Sequence, residues 1–488
     1  MLRKIRITLA TVSLILITML FLDFTGTLHT YLGWMAKIQF LPAVLALNVV
    51  VVIALIALTL LFGRIYCSVI CPLGILQDVL AKLRRKKNRF SYSSEKRVLR
   101  IAVLVVFIGL MIAGFGSIAG LLAPYSSFGR IAQTILQPAY IGINNLLATA
   151  AEHYESYAFY HQDVWLRSMP TLVVAIVSLA VVTVTAWVGG RTYCNTICPV
   201  GTILGYLSRY ARLKVVIDAN SCKNCGKCAR NCKASCIDVN SHSVDYTRCV
   251  ACGNCLEQCS FSAISYGHKP TIDKENSTAA AAGRRQFLVG AGLAFAGAAI
   301  AQEEKTVDGG LAVIENKVQP KRNTKIVPPG AQSAKNLAQH CTACQLCVSE
   351  CPNDVLRPST DLDSFMQPYM SYERGYCRPE CNRCSSVCPT GAISPISLAD
   401  KSSTQIGHAV WVKKNCVAVA NGVNCGNCAN HCPTGAIQMV HPGGDESLPM
   451  IPAINESRCI GCGACENLCP ARPFSAIYVE GHEVHKEN

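Results

Sequence analysis

Twenty-four of the 29 cysteines in this 488-residue chain stand in six sets of four. Residues 222–232 read CKNCGKCARNC and residues 249–259 read CVACGNCLEQC. Both are Cys-x2-Cys-x2-Cys-x3-Cys, the spacing of bacterial two-cluster ferredoxins. There, three thiolates wrap one [4Fe–4S] cubane and the fourth ligates the neighbouring cluster. By that rule Cys222, Cys225, Cys228 and Cys259 hold one cluster, and Cys249, Cys252, Cys255 and Cys232 hold a second. Gly226 and Gly253 let the backbone curl around the cubane. The proline that often follows the fourth cysteine is replaced by Lys233 and Ser260. Cys236 is a ninth cysteine in this region, a spare structural thiol or an alternative ligand.

Four more sets follow: Cys341, Cys344, Cys347 and Cys351; Cys377, Cys381, Cys384 and Cys388; Cys416, Cys425, Cys428 and Cys432; Cys459, Cys462, Cys465 and Cys469. Each fourth cysteine precedes a proline, at 352, 389, 433 and 470. The second set widens its first gap to three residues and the third to eight. These thiolates make four further cubanes, six in all. The spacing leaves open which sets exchange their fourth cysteines: neighbours, or first with fourth and second with third. Zinc also uses Cys-x2-Cys, but a sixfold repeat of this spacing is not a zinc pattern. Disulfide scaffolds rich in cysteine are short secreted chains, unlike this one.

The first half reads as a membrane domain. Four apolar stretches, near 7–28, 38–62, 99–122 and 169–189, are long enough for a bilayer core of roughly 30 Å. Residues 1–301 carry 29 Lys and Arg against 12 Asp and Glu, whereas residues 302–488 carry 16 against 18. The basic excess flanks the apolar stretches, so the positive-inside rule accounts for it and no nucleic-acid partner is expected. The segment 64–100 holds ten basic residues, including Arg84-Arg85-Lys86-Lys87, whereas the loop 123–168 holds Arg130 and Arg167 against three acids. The N-terminus, the 64–100 loop and the chain just after 190 are therefore expected to be cytoplasmic, and the 123–168 loop periplasmic.

A repeat lies within this half. Residues 63–74 read GRIYCSVICPLG and residues 190–201 read GRTYCNTICPVG, matching at eight of twelve positions. Each copy follows a pair of spans, so the domain reads as a duplicated hairpin. A pseudo-two-fold would bring Cys67, Cys71, Cys194 and Cys198 together at the cytoplasmic membrane surface. Four converging thiolates suit iron–sulfur or another soft metal; two facing thiol pairs suit disulfide exchange. The spans contain no histidine, and His29 lies just past the first. No membrane haem is expected, because its axial ligands are usually histidines.

The stretch GRRQFLVGAGLAFAGAAIAQ, residues 283–302, has the build of a twin-arginine export signal: Arg284-Arg285, an apolar run and an Ala-x-Ala-like end. Iron–sulfur proteins cross membranes folded, which that route permits. The chain is thus expected to comprise a four-span domain (1–215), a cytoplasmic two-cluster ferredoxin domain (216–266), a linker with internal signal (267–302) and a periplasmic four-cluster domain (303–488). Whether the signal is cut after Ala301 or stays as a fifth anchor is open. The expected fold class is an α-helical membrane domain plus two α+β bacterial-ferredoxin-like iron–sulfur domains.

With four spans, two Cys-x-x-x-Cys-Pro motifs and a ferredoxin tail, residues 1–266 resemble NapH, the membrane ferredoxin-type protein of periplasmic nitrate reductase systems. Residues 283–480 resemble the MauM/NapG group of exported four-cluster ferredoxins. In that family the two are usually separate; here they read as a fusion. The resemblance implies a quinol dehydrogenase module in the cytoplasmic membrane, passing electrons from the quinol pool to a periplasmic cytochrome or reductase. The rival expectation is an electron-donating maturation or reactivation factor for an exported enzyme. His29, Tyr31, His153 and His161 are the candidates to accept protons from a quinol. No residue is a candidate for acid–base catalysis on a small substrate. The inner and outer clusters would be separated by the membrane core, and the sequence offers no path between them.

Overall fold

The structure is a computed structural model that describes residues 2–83, 90–156, 158–267 and 316–487. The internal signal and the run 84–89 lie outside the described residues.

The first part is a helical body. Its main helices are α1 (Leu2–Leu22), α2 (Val49–Phe62), α3 (Pro72–Lys82), α4 (Arg97–Ile112), α5 (Pro124–Ile131), α6 (Gln137–His153), α7 (Met169–Gly189) and α8 (Pro199–Leu207). Two of them, α1 and α7, are 21 residues each and apolar enough to cross a membrane; at 1.5 Å per residue each is about 31 Å long. The other two expected spans are interrupted. Phe40–Leu45 forms a separate short helix, Leu47 takes φ +52°, and the Asn48 side chain then caps α2 by accepting from Val51 N at 3.3 Å. α4 stops at Ile112, Gly114 turns with φ +85°, and Gly116–Ala119 adds one turn. Left-handed backbone at Leu47 and Gly114 cannot continue a right-handed helix. The outward faces stay apolar: α2 buries only Leu55 and Thr59, and Val50, Ile53, Val98, Val105, Val184 and Val188 are all exposed.

The two copies of the repeat fold alike. After α2 the turn Tyr66–Val69 carries Cys67, and Pro72 opens α3; after α7 the turn Thr192–Thr196 carries Cys194, and Pro199 opens α8. Proline suits a first helical position, where the missing N–H costs nothing. The packing is exchanged between copies: α3 lies against α7, and α8 against α2.

A small ferredoxin-type unit sits at one end of the body. In it β1 (Lys214–Ile217) pairs antiparallel with β4 (Ile264–Gly267), and β2 (Ile237–Asp238) with β3 (Ser243–Val244). It is held near the start of α1 by the Arg3–Glu257 and Lys233–Asp78 ion pairs. Residues 316–487 form the second unit, built on the antiparallel pairs β5 (Leu356–Pro358) with β6 (Pro368–Met370), β7 (Thr404–Trp411) with β10 (Ile477–Glu487), and β8 (Ile437–Val440) with β9 (Ile451–Ile454). It docks at the other end of α1. There Arg167 Nη2 meets Asp354 Oδ1 at 2.9 Å, and Arg130 Nη1 donates to Ala343 O at 3.4 Å. Glycines permit that approach: a Cβ on Gly120 would stand 2.2 Å from Thr342 O, and one on Gly129 2.3 Å from Cys344 O.

Candidate iron–sulfur sites

In the smaller unit the cysteine loops run through left-handed residues, Asn224 and Gly226 in one and Ala251 and Gly253 in the other. These reversals wrap each loop back on itself and start the short helices Lys227–Arg230 and Asn254–Gln258, which carry the third cysteines. Cys255 lies within electrostatic reach of Cys252, Cys249 and Cys232. Cys228 is likewise near Cys222 and Cys225, and Cys259 packs into the same core. The fourth cysteine Cys232 thus crosses over to the other loop. Cys236 is no distant spare: its sulfur lies 3.5 Å from that of Cys232, and it lines the same small cavity as Cys232, Cys249, Cys252 and Cys255.

The larger unit answers the pairing question left open by spacing. Cys347 is near Cys341, Cys344 and Cys388, and Cys384 near Cys377, Cys381 and Cys351. Cys351, Cys377, Cys381 and Cys384 line one small cavity. Cys428 is near Cys425 and Cys469; Cys459 and Cys462 are near Cys432. Neighbouring sets exchange, so each pair repeats the ferredoxin crossover. The wide gap before Cys425 is filled by the turn Val417–Ala420, and Cys416 stays in the shared core with Cys459, Cys465 and Cys469. The sites form a line. Cys344 and Cys347 pack against the core of the helical body, Cys347 reaches Cys384, Cys377 N donates to Cys462 O at 2.9 Å, and Cys465 reaches Cys428.

The donor sets fit [4Fe–4S] clusters. Two of them, Cys232/249/252/255 and Cys351/377/381/384, surround a largely apolar space, and backbone N–H groups lie beside sulfurs of others: Ala343 N donates to Cys341 Sγ and Ala476 N to Cys469 Sγ. Among the described residues no three Cys, His, Asp or Glu close on a single ion. A cubane spreads its thiolates over four irons, so its ligands stand farther apart than those of one ion. Cations accompany the thiols, one buried and one half-buried. Lys401, 5% exposed, donates to Arg378 O and Cys381 O beside Cys377 and Cys384. Lys317, its pKa pushed down to about 8 by burial, donates to Glu466 O, Asn467 O and Cys469 O. Neither lysine stands out among the others in the sequence, because a lysine's depth is set by tertiary packing.

The Cys-x-x-x-Cys-Pro thiols do come together. Cys67, Cys71, Cys194 and Cys198 are 3–4% exposed, and each of their six pairings lies within electrostatic reach. The repeat's arginines are swapped across the pseudo-two-fold: Arg64 Nη2 donates to Cys194 O at 3.2 Å, and Arg191 Nη1 donates to Cys67 O. The repeat's last glycines make room, since a Cβ on Gly74 would meet Cys67 O and one on Gly201 would meet Cys194 O. Arg191 also pairs with Asp78 at 2.7 Å, as do Arg6 and Lys233. These cations hold the Asp78 carboxyl well below its usual range, against the opposing effect of burial.

The candidate quinol-side groups scatter. Tyr31 is exposed, and His161 forms an exposed pair with Glu152. His153 meets Tyr154 edge-to-face at the end of α6. His29 is buried, with Nε2 3.1 Å from Glu350 Oε1. Burial lowers His29 to about 4 and raises Glu350 to about 8. Between those values the imidazole is neutral and the carboxyl protonated, so the contact that docks the larger unit here is an uncharged one. Arg383, Asp23 and Lys37 complete the charged surroundings.

Comparison with known proteins supports the chemistry. A family described as a 4Fe-4S binding domain matches residues 44–91 and 171–217, the two repeat copies. Families described as 4Fe-4S dicluster domains match residues 245–355 and 422–472. The methylamine utilization ferredoxin-type protein MauN of Methylobacillus flagellatus is 29% identical over 171 residues, 35% of this chain and 48% of MauN. The putative electron transport protein YccM of Escherichia coli is 26% identical over 198 residues, 39% of this chain and 47% of YccM. The methylamine utilization ferredoxin-type protein MauM of Methylobacillus flagellatus is 32% identical over 158 residues, 31% of this chain and 66% of MauM. The chain spans about half the length of MauN and YccM. It therefore contains 4Fe-4S ferredoxin-type domains and is similar to ferredoxin-type electron transport proteins.

Proposed function

We propose that the chain is a membrane-bound iron–sulfur conduit that carries electrons between the quinol pool and a periplasmic redox partner. It joins a NapH-like half to a MauM/NapG-like half and carries six [4Fe–4S] clusters on the 24 cysteines of the six sets. The observation that carries this reading is a ferredoxin-type unit at each end of one apolar helix, α1. The exposed apolar faces of α2, α4 and α7 support insertion in a bilayer, where such surfaces are covered. One-electron transfer is the chemistry these clusters supply; the protein positions them in a line and sets their potentials through nearby N–H groups, buried cations and burial. The succession of sites ends at Cys416, Cys425, Cys428 and Cys469, which is where a periplasmic partner would dock. Likeness to methylamine utilization proteins favours, as a second reading, electron supply for maturing or reactivating an exported enzyme.

The test uses anaerobically purified, detergent-solubilised protein mixed with a menaquinol analogue, followed by EPR. Reduced-cubane signals that form with quinol and not with quinone support the conduit. Clusters reduced by dithionite but not by quinol refute quinol oxidation and bring the second reading forward. Protease protection in inverted vesicles tests the topology, with residues 316–487 expected inside the lumen.

A further inference from the structure

The four thiols of the repeat lie between the two ferredoxin-type units and share a core with both. Cys67, Cys71 and Cys198 belong to one hydrophobic cluster, against which Cys252 of the smaller unit and Cys344 and Cys347 of the larger one also pack. On the inner side, the residues around the thiols grip the backbone next to cluster cysteines. Arg64 Nη1 donates to Thr247 O at 2.9 Å, Asn195 Nδ2 to Ala234 O at 3.2 Å, and Arg191 N to Lys233 O at 2.7 Å. On the outer side, Tyr193, adjacent to Cys194, lies beside Arg130, whose guanidinium donates to Ala343 O between Cys341 and Cys344.

The charges at this site are unbalanced without an anion. Arg64 is 0% exposed, and arginine stays charged. Its recorded partners are Asn195 Oδ1 at 2.8 Å, Thr247 O, Cys194 O and, at 3.8 Å, Cys67 Sγ; none is a carboxylate. A buried cation is stable only with a counter-charge or full hydrogen bonding, and Arg64 Nε has no partner. Gln77 Nε2 donates to Cys194 Sγ at 3.2 Å, with its Oε1 unpartnered. Gly201 N donates to Cys198 Sγ at 3.2 Å. Two disulfides are neutral and would leave only the Cys249 thiolate of the inner site within electrostatic reach of Arg64; a cluster bound by four thiolates is anionic and would compensate it directly.

We propose that Cys67, Cys71, Cys194 and Cys198 hold a seventh iron–sulfur cluster, a relay between the Cys232/249/252/255 site and the Cys341/344/347/388 site. This rests on the reading of those two sets as cluster sites. As a relay the site gains and loses one electron per passage, with no bond made or broken and no proton taken up. It supplies the path across the helical body that the sequence lacked, without a haem.

The test compares the full chain with the variant Cys67→Ser/Cys194→Ser, both purified anaerobically in detergent. The readouts are iron, acid-labile sulfide and EPR of the dithionite-reduced protein. The variant is expected to lose about four iron and four sulfide per chain for a cubane, or about two of each for a [2Fe–2S] cluster, while the signals of the other clusters persist. Unchanged iron and sulfide would overturn the proposal. Should the variant lose every signal by misfolding, the wild-type chain decides. Iron near 24 per chain, with these four cysteines recovered as disulfides after anaerobic denaturation and alkylation, would overturn it; about 26–28 iron with four free thiols supports it. A wild-type chain with almost no iron would instead refute the six-cluster reading.

Discussion

Replacing Asp78 by Asn tests how the smaller unit is held to the helical body. One carboxylate faces three cations: Arg191 at 2.7 and 2.8 Å, Arg6 at 3.1 Å, and Lys233 from the smaller unit. Its side chain is 13% exposed, and that of Arg191 is fully buried. Removing one partner of a buried pair strands the other charges, at a cost of about 3–5 kcal/mol. For a unit of this size that lowers Tm by roughly 6 °C or more. The assay is circular dichroism on heating the detergent-solubilised protein, with the same ramp on Glu257→Gln. That control breaks the Arg3–Glu257 pair, whose side chains are 37% and 34% exposed, and such exposed pairs contribute about 0–1 kcal/mol. The folded-state pKa of Asp78 is depressed, so its contribution is complete above the unfolded value of about 3.9 and fades as pH falls below it. The difference between Asp78→Asn and wild type should therefore be constant from about pH 5 to 9 and vanish in strong acid. A Tm shift no larger than that of Glu257→Gln would refute the reasoning.

Glu350 has a raised folded pKa, so the stability it contributes is full below about 4.5 and is lost as pH rises through about 8. Glu350→Gln, which keeps the size of the side chain and stays neutral at every pH, should remove that alkaline loss, as read by limited proteolysis of the larger unit between pH 6 and 9. Gly129→Ala places a Cβ 2.3 Å from Cys344 O and 2.9 Å from Phe21; overpacking of this kind costs about 1–3 kcal/mol, and the same proteolysis assay should show the larger unit loosened. Cys236→Ser should leave the iron content unchanged but shift the midpoint potential of one inner cluster in an EPR redox titration, because its sulfur lies against that of Cys232. Cys432→Ser should remove one cluster signal and leave the Cys416/425/428/469 signal, since Cys432 reaches Cys459 and Cys462 instead.

The cysteine sets were legible because a cubane fixes ligand spacing along the chain, and the repeat was legible because Gly-Arg-x-Tyr-Cys recurs. What spacing cannot encode is which loop meets which. Exchange between neighbouring sets follows from the fold of each pair. The breaks at Leu47 and Gly114 were hidden within apolar runs, where hydropathy is blind to backbone dihedral. Cys236 looked spare because spacing does not show the tight turn at Ser235, with φ +50°, that brings its sulfur back to Cys232. His29 looked like a surface group because its cover, Glu350, is more than 300 residues away in sequence.

Because α1 is gripped near both ends, by Glu257 and Asp78 through Arg3 and Arg6 and by the larger unit beyond Phe21, it acts as a gauge rod. Adding a single residue in its middle would turn one end by about 100° and lift it about 1.5 Å against the other. Neither grip can follow such a twist while the other is kept. The length of this helix is therefore under a tighter constraint than its composition: its apolar letters are interchangeable, but their number is not.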